Sequence, residues 1–121
     1  MARQIITSQA DLLKLGMFSD FKIICQGEII LVHKAIISKE SDVFQRMIEV
    51  DMIESNRGEV QIVDMNVQTV QAMIHFIYTG KLLPSIDENS IKQLYMASDK
   101  YMIRSLKNKL EEIEGQINID E

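Results

Sequence analysis

One thiol and two imidazoles, Cys25, His33 and His75, are the side chains that could supply a nucleophile or hold a soft metal ion. A Cys25–His33 or Cys25–His75 pair is conceivable, because an imidazole that takes the thiol proton makes the reactive thiolate. Cys25, however, ends the strand-like run Phe21-Lys22-Ile23-Ile24-Cys25, where burial would raise its pKa and leave it inert. The histidines lack H-x-x-x-H spacing, and with a single cysteine they cannot complete a tetrahedral zinc site without carboxylates. The carboxylate pairs Asp87-Glu88 and Glu111-Glu112 read as solvated groups at helix ends. The glycines stand at 16, 27, 58, 80 and 115. They are too far apart for either common phosphate loop, G-x-G-x-x-G or G-x-x-x-x-G-K-[ST]. No catalytic residue, metal or cofactor is expected, and the chain reads as a non-enzyme.

Charge narrows the partner. Thirteen basic and eighteen acidic residues give a net charge of -5, and the excess is Glu111, Glu112, Glu114, Asp120 and Glu121. Up to residue 110 the charges balance, so the basic stripe needed to neutralise phosphates is missing and no nucleic acid is expected. Attraction to an anionic membrane surface fails for the same reason. The longest aliphatic run, Ile29-Ile30-Leu31-Val32, is far short of the roughly 20 residues of a span. The first residues lack the apolar block of a secretory signal, and one cysteine excludes an intramolecular disulfide. A protein partner in a reduced cytoplasmic and/or nuclear setting is the expectation. With 121 residues, 46% of them hydrophobic, the chain can bury one core without a staple.

The elements that would position these groups are legible in turn. Residues 8–18 read as a short helix capped by Ser8 and stopped by Gly16, with Leu12, Leu13, Leu15, Met17 and Phe18 as an apolar cluster. A helix so short needs something to lie on, its own core or a second copy. Phe21–Cys25 and Glu28–Val32 form a hairpin about Gln26-Gly27, and the second strand, apolar on both faces, is expected to be covered by helices on one side or on both. A short helix follows from His33, and Ser41 caps the next, with Val43, Phe44, Met47 and Ile48 at helical spacing. Glu59–Asp64 alternates like a strand with Val60 and Ile62 inward. Asn66 caps a helix striped by Val67, Val70, Ile74, Ile77 and Tyr78 and ended by Gly80. Asp87 or Asn89 opens another helix, with Ile91, Leu94, Tyr95 and Ser98 inward. The last carries Ile103, Leu106, Leu110 and Ile113, with Gly115 as its stop. The sum is an α+β domain, a small three-stranded sheet wrapped by five to six helices.

Five stretches, in this order, carry a resemblance: Phe18-Ser19-Asp20, Val32-His33-Lys34-Ala35-Ile36-Ile37, Ser41-Asp42-Val43-Phe44, Met73 to Gly80, and Ala97-Ser98-Asp99-Lys100-Tyr101. Together they resemble the BTB/POZ domain, most closely those of MATH–BTB and kelch-type adaptors of cullin three ubiquitin ligases. The resemblance covers residues 8–114, leaving 1–7 as an arm and 115–121 as the start of a post-BTB extension cut short. It implies an N-terminal dimerisation helix and homodimerisation through Leu12, Leu13, Leu15, Met17, Phe18 and Ile36. A hydrophobic–x–Glu motif, Met52-Ile53-Glu54, would then lie in a loop and bind the N-terminal domain of the cullin three scaffold. Tyr78, Leu82 and Tyr101 complete that implied surface. A thioether suits such a role because it fills an irregular pocket, while the carboxylate fixes register. The alternative is the BTB domain of a transcriptional regulator that binds co-repressor peptides, where Asp20 and Lys34 would form the family's charged pocket. In either case, substrate or co-repressor is engaged through regions outside this chain.

Overall fold

Ser8 lies in extended backbone and its hydroxyl accepts the Asp11 N–H at 3.3 Å, which starts helix α1 (Gln9–Leu15). Gly16 closes it with φ at 67°, a left-handed conformation that a side chain would strain, and a Cβ there would stand 3.2 Å from Leu31 Cδ1. The computed structural model describes residues 5–54, 57–84 and 86–117, with side chains at all of these except 53, 54 and 114–117.

The hairpin forms as its sequence predicts. Strands β1 (Phe21–Cys25) and β2 (Glu28–Val32) pair antiparallel with Phe21 opposite Val32 and Cys25 opposite Glu28. Gln26 and Gly27 both have positive φ, 50° and 81°, the twist that a two-residue turn requires. Gln26 Oε1 also accepts the Val67 N–H at 2.7 Å, tying the turn to the start of a later helix. The third strand, β3 (Glu59–Gln61), lies parallel to β1, giving the order β2-β1-β3. It is shorter than its alternating pattern predicts. Ile62 still bonds to the Ile24 carbonyl and is buried, but Val63 beyond it turns out into solvent.

Six helices accompany the sheet among the described residues: α1, α2 (Lys34–Glu40), α3 (Asp42–Glu54), α4 (Val67–Thr79), α5 (Glu88–Lys100) and α6 (Arg104–Ile117). Side-chain caps at Ser41, Asn66 and Asp87 begin α3, α4 and α5. Helix α4 is the centre of the core. It buries Ala72, Met73 and Phe76 as well as the predicted stripe, the pattern of a helix enclosed on several sides. Ile23, Phe44, Met73, Ile74, Leu94, Leu106 and Leu110 pack together around it.

Helices cover one of the two sides of β2. Ile29 and Leu31 are 59% and 41% exposed on the face that carries Lys22, while the helices cover the opposite face, where Phe21, Ile23, Cys25 and Val32 are buried. Two expectations are corrected. Gly115 does not stop the last helix, since α6 runs through it to Ile117; a glycine without a left-handed turn costs a helix only about 1 kcal/mol. Met52, Ile53 and Glu54 form the last turn of α3, not a loop. No helix of the described residues is long and apolar enough to cross a membrane.

Candidate interaction surfaces

Helix α1 buries none of its residues. Of the predicted dimer set, Leu13 and Ile36 are half-buried against the chain's own core, and Leu12 and Met17 are also half-buried. Leu15 is exposed, and Phe18 is 76% exposed. Phe18 also has φ at 61°, a left-handed conformation that costs a residue with a side chain about 1–2 kcal/mol. Its ring makes little packing contact to offset that cost, so the turn is held from its flanks.

Those flanks are well anchored. Before Phe18, the Met17 carbonyl lies 2.7 Å from His33 Nε2. After it, the Asp20 N–H donates to the Val32 carbonyl, and Asp20 Oδ1 accepts the Lys34 N–H at 2.7 Å. His33 is buried and held by Tyr78: the Tyr78 oxygen accepts the His33 backbone N–H at 2.8 Å and lies 2.8 Å from Nδ1. The Met17 carbonyl can only accept, so Nε2 carries the ring proton and donates it; in that tautomer Nδ1 is an acceptor and takes the phenol proton of Tyr78. Burial pushes the Tyr78 phenol up to about 12, against a smaller lowering by the His33 N–H.

Asp20 and Lys34 do meet, but through Lys34's main chain. The carboxylate caps the N-terminus of α2, a role that the His33 side chain at the cap position does not fill.

The predicted scaffold-binding set divides. Met52 is 57% exposed on the last turn of α3, while the side chains of Ile53 and Glu54 lie outside the described residues. Leu82 is half-buried against the core. Tyr78 and Tyr101 are corrections. Both are buried, Tyr78 on His33 and Tyr101 stacked on Phe44 with ring centroids 4.9 Å apart. Their rings build the core instead of facing a partner. Cys25 is buried too, its thiol directed to the Met65 carbonyl at 3.3 Å, and burial pushes its pKa up. Among the described residues no cluster of His, Cys, Asp and Glu is placed to hold a metal ion.

Two features escape sequence reasoning. A groove of about 970 Å³ runs between α3 and β3, with Val43, Met47, Val50, Val60 and Met102 as its apolar lining. Met102, 56% exposed, is left-handed at φ 53° where α5 ends. Its N–H bonds the Asp99 carbonyl and the Ile103 N–H bonds the Ser98 carbonyl, the paired bonds of a helix stop that usually takes glycine. No residue type announced it. The exposed Ile29 and Leu31 were visible, but an apolar strand reads as a buried one.

A three-stranded mixed sheet wrapped by six helices, with a short apolar helix ahead of its hairpin, is the architecture of a BTB/POZ domain. The family's profile, "BTB/POZ domain", matches residues 10–117, and the chain belongs to that family, a class of protein-interaction modules. It is 35% identical over 107 residues to mouse TD and POZ domain-containing protein 1, covering 87% of this chain and 29% of that protein. It is 35% identical to human Kelch repeat and BTB domain-containing protein 3, covering 69% and 13% respectively. To BTB and MATH domain-containing protein 42 of Caenorhabditis elegans it is 32% identical, covering 83% and 25%. The chain thus spans less than a third of the length of these relatives. In structure it is similar to the BTB domain of zebrafish PATZ1, with a TM-score of 0.72 at 16% identity, covering 94% of this chain and 99% of that one. The BTB domain of human gigaxonin gives 0.69, also at 16% identity, covering 93% and 98%.

Proposed function

We propose that the chain is a non-catalytic adaptor module that homodimerises and docks a cullin three scaffold, presenting a substrate held elsewhere in the assembly. The observation that carries this reading is the exposed apolar set at the end of α1, Leu15 and Phe18, beside a helix that buries none of its residues. Apolar groups gathered in this way mark protein contacts. A two-fold would place the same patch on both copies, so one sequence feature serves both sides. The exposed Met52 on the last turn of α3 supports the scaffold contact, as a flexible thioether available to fill a pocket. Likeness to kelch-repeat and MATH-containing BTB proteins favours the adaptor reading over a co-repressor-binding one. So does Asp20, whose carboxylate is already occupied as the cap of α2. Light scattering for the dimer and calorimetric titration of a cullin three N-terminal domain for the scaffold contact test the two halves separately. A monomeric chain, or one that gives no binding heat, removes the corresponding half.

A further inference from the structure

We infer that His33 and Tyr78 are positioning residues for the dimer contact, holding Phe18 in its strained turn as a pre-formed apolar anchor for a second copy. The inference rests on the homodimer proposed above.

Phe18 is the strained residue of this turn. It combines a left-handed backbone with a ring 76% exposed, so its own packing does not explain its conformation. Such strain persists only where surrounding bonds over-determine it. Here they do. His33 Nε2 holds the carbonyl before Phe18, and Asp20, two residues after it, is held at both its N–H and its carboxylate. The His33 ring is fixed in turn by the Tyr78 hydroxyl, which reaches it from the central helix α4. The chain of contacts therefore runs from the buried core through one phenol and one imidazole to the most exposed aromatic ring near α1. A backbone already held in the turn that points the ring outward loses less freedom on association, which is how pre-organisation raises affinity. Every polar atom in this relay has its partner, so removing the relay loosens the anchor without touching the contact face itself.

A double-mutant cycle on dimer dissociation tests this, using His33→Leu, which deletes the donor to Met17, and His33→Gln, whose amide can restore it. Tyr78→Phe serves as a second route should His33→Leu fail to fold. In the wild-type chain Phe18→Ala should weaken the dimer about tenfold, and in the His33→Leu or Tyr78→Phe background less than about threefold. His33→Gln should recover most of the Phe18 contribution, a result that general stabilisation by His33 would not produce. If Phe18→Ala costs the same in every background, or nothing in a dimeric wild type, the positioning role is overturned while the dimer stands. A monomeric wild type overturns both.

Discussion

Ser41 binds the Tyr101 main chain across sixty residues of sequence: its hydroxyl donates to the Tyr101 carbonyl at 2.6 Å while accepting the Phe44 N–H at 3.0 Å. One buried side chain thus caps α3 and ties the α2–α3 junction to the end of α5, with the Phe44 and Tyr101 rings stacked beside it. Ser41→Ala removes the cap and leaves the Tyr101 carbonyl without this donor. The expected loss is about 2 kcal/mol in urea unfolding. A loss below about 0.5 kcal/mol would mean that the junction holds without it.

Tyr78 sets an alkaline limit on stability. Its folded pKa is raised from 10.0 to about 12, chiefly by burial. Below pH 10 both folded and unfolded chains keep the proton. Between 10 and about 12 the unfolded chain releases it and the folded chain does not, so stability falls as pH rises through that window. Tyr78→Phe should be less stable than wild type by about 2 kcal/mol near neutrality, because His33 loses its hydroxyl partner. The gap should shrink by about 2–3 kcal/mol on approaching pH 12, since the variant has no such proton to lose. Denaturation midpoints of the two chains across this range, compared at each pH, measure the difference.

Met102 sits where a glycine would be relaxed. Met102→Gly should stabilise the chain by about 1 kcal/mol, because the exposed thioether contributes little packing and the left-handed strain is relieved. Thermal unfolding reads this as a higher Tm. A lower one would show that the side chain's place in the groove between α3 and β3 outweighs the strain.

What the sequence disclosed is what local chemistry decides. Ser8, Ser41, Asn66 and Asp87 announce helix starts because each side chain bonds a main-chain N–H only three residues away. Gln26-Gly27 announces a turn for a similar reason. The parallel pairing of β3 with β1 depends on where α2 and α3 carry the chain, and no local pattern encodes that. Tyr78 lies on the apolar stripe of its helix, and only the resemblance placed it and Tyr101 on a partner surface; the partner that lets the Tyr78 hydroxyl be buried, His33, lies forty-five residues away. The apolar cluster on α1 was legible, whereas the left-handed backbone that turns Phe18 outward was not, since nothing in the residue type requires it. At Met52 the motif was legible and its helical setting was not.

The scaffold contact should respond to a double change at the end of α3. Met52→Ala with Glu54→Lys removes an exposed thioether and reverses a charge. It should weaken binding of a cullin three N-terminal domain by at least about tenfold in calorimetry. Unfolding free energy should stay within about 0.5 kcal/mol of wild type if the double change acts on the contact and not on the fold. Undiminished affinity would place the scaffold contact elsewhere.

The self-association of the α1 face is tested most directly by light scattering on the wild-type chain and on Leu15→Asp, at concentrations on the order of tens of micromolar. The wild type should have twice the mass of one chain. Leu15→Asp should have the mass of one, with its fold intact, because a carboxylate facing its own copy across a two-fold has no partner. A wild-type chain that scatters as a single copy, or a Leu15→Asp chain that remains paired, would contradict the account.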